Sequence, residues 1–174
     1  AEGEGPVRVE TRLFGPLEVE DDKVYRFPEG LYGFEGLRRF VLLEPEPGSP
    51  WKWLQSLEEG DISFVILDPF VLYPGYDPVL PPGELERIGL RAAEEAAVFA
   101  VAVVPEALTR TTVNLRAPLV FNPAARLGRQ VILPDERYAV RHPAFPALAG
   151  EGARAADRAG QRPASQVAAI VVGG

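Results

Sequence analysis

Proline and glycine cut this chain into short pieces: 174 residues hold 18 prolines and 17 glycines. Proline removes a backbone donor and glycine weakens a helix, so few stretches remain in which a long helix can form. Short strands joined by turns tolerate such punctuation. The apolar residues agree with this. Residues 7–13 alternate with period two, as a half-buried strand does. Residues 17–20 and 23–27 alternate again around Asp21-Asp22, which predicts a hairpin. Residues 40–43, 62–67 and 98–104 are unbroken apolar runs rich in β-branched side chains, the pattern of strands buried on both faces. Residues 119–121, 130–133 and 138–140 are shorter candidates.

Helical signals are few. Pro81-Pro82-Gly83-Glu84 opens a stretch to Arg91 with Leu85 and Ile88 on one face. Residues 50–57 have the spacing for one helical turn, with Trp53 or Leu54 against Leu57. The expectation is a mainly β protein: a small closed or barrel-like antiparallel β domain with one or two short helices. Its length suits one domain with a core of its own. From residue 149 the sequence AGEGARAADRAGQRPASQ is poor in large apolar side chains and reads as a tail. The division is therefore a domain over 1–148 and a tail over 149–174, whose last apolar run, 167–172, is expected to add a strand.

Charge narrows the partners. The net charge is −7, but residues 1–100 carry −11 and residues 101–174 carry +4. A surface this acidic repels phosphate backbones, which argues against direct nucleic-acid binding and suits a basic protein partner or plain solubility. The longest apolar run, 96–104, falls far short of the ~20 residues of a membrane helix. The opening AEGEGPVRVE lacks the basic-then-apolar order of a secretion signal, so a cytoplasmic protein is expected. Without cysteine there is no disulfide and no thiolate metal site.

No catalytic motif stands out. FPEGLYGFEG, residues 27–36, spaces glycines at 30, 33 and 36, but no lysine or hydroxyl follows, and Glu35 sits inside. It is not a phosphate loop. Its glycines are turn formers, and Leu31, Tyr32 and Phe34 between them either plug the core or face a partner. His142 is the only histidine and precedes a proline, a poor start for a zinc site or a catalytic triad. The carboxylates Asp61, Asp68, Asp77 and Glu84 leave a carboxylate-based hydrolase open as an alternative. LDPFVLYPGYDP, residues 67–78, places Phe70, Tyr73 and Tyr76 at intervals of three between two Asp-Pro turns. These aromatics either pack the loop down or form a contact patch. In TTVNLRAPLVFNP, residues 111–123, Asn114 and Asn122 are expected to satisfy turn backbone groups.

Taken together, FPEGLYGFEGLRRFVLLEPE, LQS, FVILDPFVLYPGYD, TVNLRAPLVFNP with GRQVILP, and RYAVRHPAFP resemble the FliW family of flagellar assembly factors in order and spacing, over residues 7–148. The tail and the pair Trp51 and Trp53 lie outside the pattern. The resemblance implies a small barrel-like protein, not an enzyme and without a metal or cofactor. It also implies two partners in the cytoplasm: flagellin, and the CsrA-type RNA-binding repressor that such proteins antagonise. A flagellin chaperone without a CsrA role is the narrower version. For partner contact the candidates are Leu31, Tyr32, Phe34, Phe70, Tyr73 and Tyr76 as apolar groove, with Asp77 and Glu84 as acidic surface.

Overall fold

The structure, a computed structural model, describes residues 5–145; the expected domain end at 148 and the strand at 167–172 lie outside the described residues. Among the described residues, eleven strands and two short helices make up the fold. In chain order they are β1 (Val7–Thr11), β2 (Gly15–Val19), β3 (Val24–Arg26), β4 (Arg39–Leu43), β5 (Trp51–Ser56), β6 (Ser63–Leu67), α1 (Pro69–Leu72), α2 (Pro82–Glu86), β7 (Ala97–Val103), β8 (Thr112–Val113), β9 (Leu119–Asn122), β10 (Leu127–Gln130) and β11 (His142–Pro143).

Seven strands close into a barrel in the order β3-β4-β5-β6-β7-β9-β10 and back to β3. All neighbours are antiparallel except the closing pair, where β10 meets β3 in parallel at Leu127 and Arg26. Arg26 N–H donates to the carbonyl of Arg126 at 3.0 Å across that seam. Arg126 holds a left-handed φ of 56°, a conformation side chains seldom adopt outside turns. It ends the turn between β9 and β10 and so aims the closing carbonyl. Beyond the ring, β8 continues the β9 edge of β7, and β11 lies outside β8.

The unbroken apolar runs are explained by burial on both sheet faces. Along β6, Phe64 and Ile66 enter the barrel interior, while Val65 and Leu67 face an outer core. Along β7, Ala97, Phe99 and Val101 point inward, and Val98, Ala100 and Ala102 point outward. The interior is filled by Phe27, Phe40, Phe64 and Phe121 with Leu31, Leu54 and Leu119. Phe27 meets Phe40 and Phe121 edge-on, each at 5.4 Å between ring centres, the geometry that aromatic quadrupoles favour. The outer core is roofed by the segment through α2, where Leu85 and Ile88 are both buried as the spacing predicts.

Three expectations need correction. The hairpin pairs β1 with β2 through the turn at residues 12–14, and β2 does not pair with β3. Asp21–Lys23 forms a 3-10 turn that turns the chain from the hairpin into the barrel. Adjacent alternation marked the strands correctly but not which loop is tight. The stretch 50–57 holds strand β5 at Trp51–Ser56, not a helical turn, because β4 and β6 satisfy its backbone from both sides. Trp53 then meets Phe14 edge-on at 5.5 Å and so anchors the hairpin turn. Of the runs expected at 130–133 and 138–140, only Gln130 lies in a strand, as the last residue of β10; Val131 and Leu133 instead donate to the carbonyls of Pro118 and Arg116.

The hairpin also docks by backbone. Arg12 N–H donates to Gly60 at 3.0 Å, and a Cβ on Gly60 would lie 1.7 Å from the Glu10 carbonyl oxygen. Backbone offers no rotamer by which to yield. Gly60→Ala is therefore expected to destabilise by about 2–3 kcal/mol, in the range of overpacked cores, read as a lower urea midpoint. An unchanged midpoint would show that the hairpin does not rest on Gly60.

Candidate functional site

The loop FPEGLYGFEG resolves into a tight reversal. Gly30 takes φ +65°, and a Cβ there would lie 2.5 Å from the Phe34 carbonyl oxygen. Gly33 takes φ +88° in the Leu31–Phe34 reversal, the position at which a type II turn requires glycine. Gly36 needs neither the conformation nor the space. Leu31 is buried in the barrel interior, and Phe34 is half-buried against Phe64 at 5.2 Å. Tyr32 alone faces outward, 55% exposed. Its N–H donates to Gln130 Oε1 at 2.9 Å, and Gln130 Nε2 donates to the Ala117 carbonyl at 3.0 Å. The loop is a core plug that presents one tyrosine.

The stretch from Asp68 to Asp77 is different. Asp68 caps α1, accepting from Phe70 N–H at 2.9 Å, and Pro69 suits the first helical position. Four residues later the chain turns back, and Tyr76 N–H donates to the Tyr73 carbonyl at 2.8 Å. Tyr76 is buried, and its hydroxyl donates to the Leu115 carbonyl at 2.6 Å. Burial first, and the neighbouring Tyr138 second, push its pKa well above the ordinary tyrosine range, so it stays a neutral donor. Tyr138 is also buried, packs edge-on against Tyr76 at 4.8 Å, and accepts from Asp77 N–H at 2.9 Å. Leu115 lies in an excursion between β8 and β9, shaped by Asn114, whose Oδ1 accepts from Arg116 and Ala117 N–H. Asn122 likewise accepts from Ala124 and Ala125 and donates to the Ile88 carbonyl at 2.7 Å. Both asparagines satisfy turn backbone, as expected.

On this buried tyrosine pair rests an exposed apolar surface. Phe70, Val71 and Tyr73 are 43%, 61% and 38% exposed. Phe70 leans on Tyr76 at 5.6 Å, and Tyr73 stacks on His142 at 5.4 Å with rings 8° from parallel. Phe70 and Tyr73 therefore stand where a partner can reach them, whereas Tyr76 belongs to the core beneath. Val71 completes the surface from the same stretch. Tyr138 and His142 support it from 60 and more residues away and carried no local sequence signal for this role.

The acidic candidates also separate. Asp77 is exposed beside the aromatic surface, with its backbone held by Tyr138. Glu84 is half-buried and accepts from Arg129 Nε, while Arg129 Nη1 reaches Glu29 at 2.7 Å and Arg87 reaches Glu29 at 3.1 Å. This network ties the Gly30 loop, α2 and β10 together. Hydrogen bonding from Arg129 holds the Glu29 carboxyl below its ordinary range, with the charges of Arg129 and Arg87 adding to it. The four carboxylates weighed for hydrolysis are dispersed among other tasks: Asp68 caps a helix, Glu84 is tied to Arg129, and Asp61 and Asp77 are exposed. Among the described residues no group of three His, Cys, Asp or Glu is placed to hold a metal ion, and no helix is long and apolar enough to cross a membrane.

A closed seven-stranded barrel with a docked hairpin and an exposed aromatic loop defines a small β-barrel protein with a surface suited to contact. A family model described as "FliW protein" matches residues 8–144. The "Flagellar assembly factor FliW" of Caldicellulosiruptor saccharolyticus is 43% identical over 137 residues, 79% of this chain and 90% of that one. Its namesake in Symbiobacterium thermophilum is 46% identical over 125 residues, 71% of this chain and 91% of that one. Among solved structures, the "Crystal structure of the flagellar assembly factor FliW" superposes with a TM-score of 0.74 at 34% identity, covering 80% of this chain and 97% of that one. The chain belongs to the FliW family.

Two measurements check this geometry. Tyr76→Phe leaves the buried Leu115 carbonyl without its donor and is expected to cost about 1–2 kcal/mol in urea unfolding, whereas Tyr73→Phe should be near neutral. Equal losses would contradict the division into buried support and exposed surface. The lowered Glu29 pKa means that its ionised form stabilises the fold above the ordinary carboxylate range, and that this is lost as pH falls through the lowered value. Glu29→Gln should therefore lower Tm at pH 7, with the gap from wild type closing in acid and narrowing in high salt. A gap that stays constant down to pH 3 would show that the pairing does not stabilise the fold.

Proposed function

We propose that this chain is a non-enzymatic flagellar assembly factor of the cytoplasm that binds flagellin through the Phe70–Val71–Tyr73 surface and antagonises a CsrA-type RNA-binding repressor. Membership of a family whose relatives are named flagellar assembly factors supports the first part. The observation that carries the contact surface is the exposed aromatic loop fixed on the buried Tyr76–Tyr138 pair. Rigid aromatics lose little entropy on binding and are favoured anchors of interfaces. An apolar face of this kind suits the amphipathic terminal segments of flagellin before assembly.

The repressor reading rests on charge. A protein that holds RNA is basic there, and an acidic body docked beside it raises the cost of bringing phosphates in. Asp77 is free to contribute to that field from beside the aromatic surface, while Glu84 is already balanced by Arg129.

The test is calorimetric titration of the full chain with flagellin and, separately, with the repressor. Phe70→Ala with Tyr73→Ala is expected to weaken flagellin binding about tenfold or more, since buried aromatic anchors each contribute upward of ~1 kcal/mol, at an unchanged Tm. Unchanged affinity places flagellin elsewhere on the barrel. Binding of flagellin without any heat from the repressor would leave a chaperone with no repressor role.

A further inference from the structure

We propose that Gln55 and Ser63 hold a resident water molecule beneath the β1–β2 hairpin, in a binding site built on the middle residue of the LQS motif. Gln55 and Ser63 stand opposite each other on β5 and β6. Two residues along each strand, Trp53 faces Val65, and both pack in the outer core. Alternation places Gln55 and Ser63 on that same outer face. The hairpin covers the barrel wall there: Phe14 packs on Trp53, and Arg12 N–H donates to the Gly60 carbonyl. Gln55 is fully buried and Ser63 nearly so.

The amide of Gln55 can point only one way. Its Nε2 donates to the carbonyls of Ser56 at 2.9 Å, Ile62 at 3.1 Å and Gly60 at 3.2 Å. A reversed amide would set its oxygen against three carbonyl oxygens, acceptor on acceptor. Oε1 is therefore fixed at the other end, buried and without a partner among the described residues. Ser63 Oγ, on the facing strand, is likewise buried and without a partner among them. The neighbouring hydroxyls are engaged. Thr11 Oγ1 donates to the Gly15 carbonyl and accepts from Phe14 N–H, and Ser56 Oγ accepts from Glu58 and Glu59 N–H.

Buried polar atoms that lack a protein partner are met by ordered water. Here two such atoms belong to one directly opposed cross-strand pair, whose Cβ atoms lie roughly 4.5–5.5 Å apart. One small molecule bridges that span. The chemistry of the pair selects it. An amide oxygen only accepts, so the ligand must donate, and a hydroxyl serves either way. Neither group is charged, so a cation would give up its hydration for two neutral ligands. Water meets both groups. Serine is also the smallest side chain on this face of β5 and β6, beside Trp51, Trp53, Gln55, Val65 and Leu67, so the room for a ligand lies over Ser63. Gln55 then works from both ends: Nε2 shapes the turn that carries Gly60, and Oε1 holds the water under the hairpin that Gly60 receives.

The test is a high-resolution crystal structure of the full chain, with magnetic relaxation dispersion of water oxygen to count long-lived waters in solution. The expected result is an ordered water within hydrogen-bond distance of both Gln55 Oε1 and Ser63 Oγ. The dispersion amplitude of wild type should exceed that of Ser63→Ala by one water. Direct bonding of Ser63 Oγ to Gln55 Oε1, or no density between them, overturns the proposal. An equal amplitude in the two proteins also overturns it. Should Ser63→Ala fail to fold, Ser63→Thr keeps the hydroxyl and adds a methyl group in the site. The same loss of one water is then expected, and its retention overturns the assignment.

Discussion

The ring closes because Phe27 can enter the barrel, and Phe27 can enter only because residue 128 has no side chain. A Cβ on Gly128 would lie 2.4–2.7 Å from three atoms of the Phe27 ring. The backbone of Gly128 takes no left-handed φ, so glycine is needed here for space and not for conformation. Phe27 is fully buried and contacts Phe40 from β4 and Phe121 from β9. One ring thus bonds both flanks of the weakest seam, where β3 and β10 share a single register pair. The hydrogen bonding of that seam is sparse, and the aromatic packing beneath it holds the two strands in place.

Closure of the barrel makes both faces of its strands useful. With the interior filled, the outward side chains of β6, β7 and β9 support a second core, roofed by residues 72–90 and by residues 131–145. That roof contains the Tyr76–Tyr138 pair, and the pair fixes the loop that carries Phe70, Val71 and Tyr73. The chain of dependence runs from lumen to sheet, from sheet to tyrosines, and from tyrosines to the exposed surface. A third, smaller cluster of Val19, Val24, Val41 and Leu57 seats the β1–β2 hairpin on the opposite flank of β3 and β4. On the aromatic loop, exposed side chains stand on support too well bonded to shift, which favours contact without much loss of entropy on binding.

Strands buried on both faces were legible in the sequence because β4, β6 and β7 leave unbroken apolar runs rich in β-branched side chains. Leu85 and Ile88 were legible from their spacing, and Asn114 and Asn122 from the chemistry of turns. The partner of β2 was not, since alternation says that a strand exists and nothing of what lies beside it. Strand β5 was misread because Trp53, Leu54 and Leu57 satisfy a helical spacing by coincidence, and only neighbours on both sides decide the matter. Of the candidate surface, Phe70 and Tyr73 were legible as residues of one stretch. The burial of Tyr76 was not, because its partners Leu115 and Tyr138 are 39 and 62 residues away. Glu84 looked like free acidity because Arg129 is just as distant in sequence.

If flagellin meets this protein as proposed, the contact falls on the Phe70–Tyr73 surface. Site-specific photo-cross-linking probes this contact, with a benzophenone side chain placed at position 70 and, as the control, at position 32, the one exposed aromatic of the glycine loop. The expected result is a covalent adduct with flagellin from position 70 and little or none from position 32. An adduct from position 32 alone would contradict it.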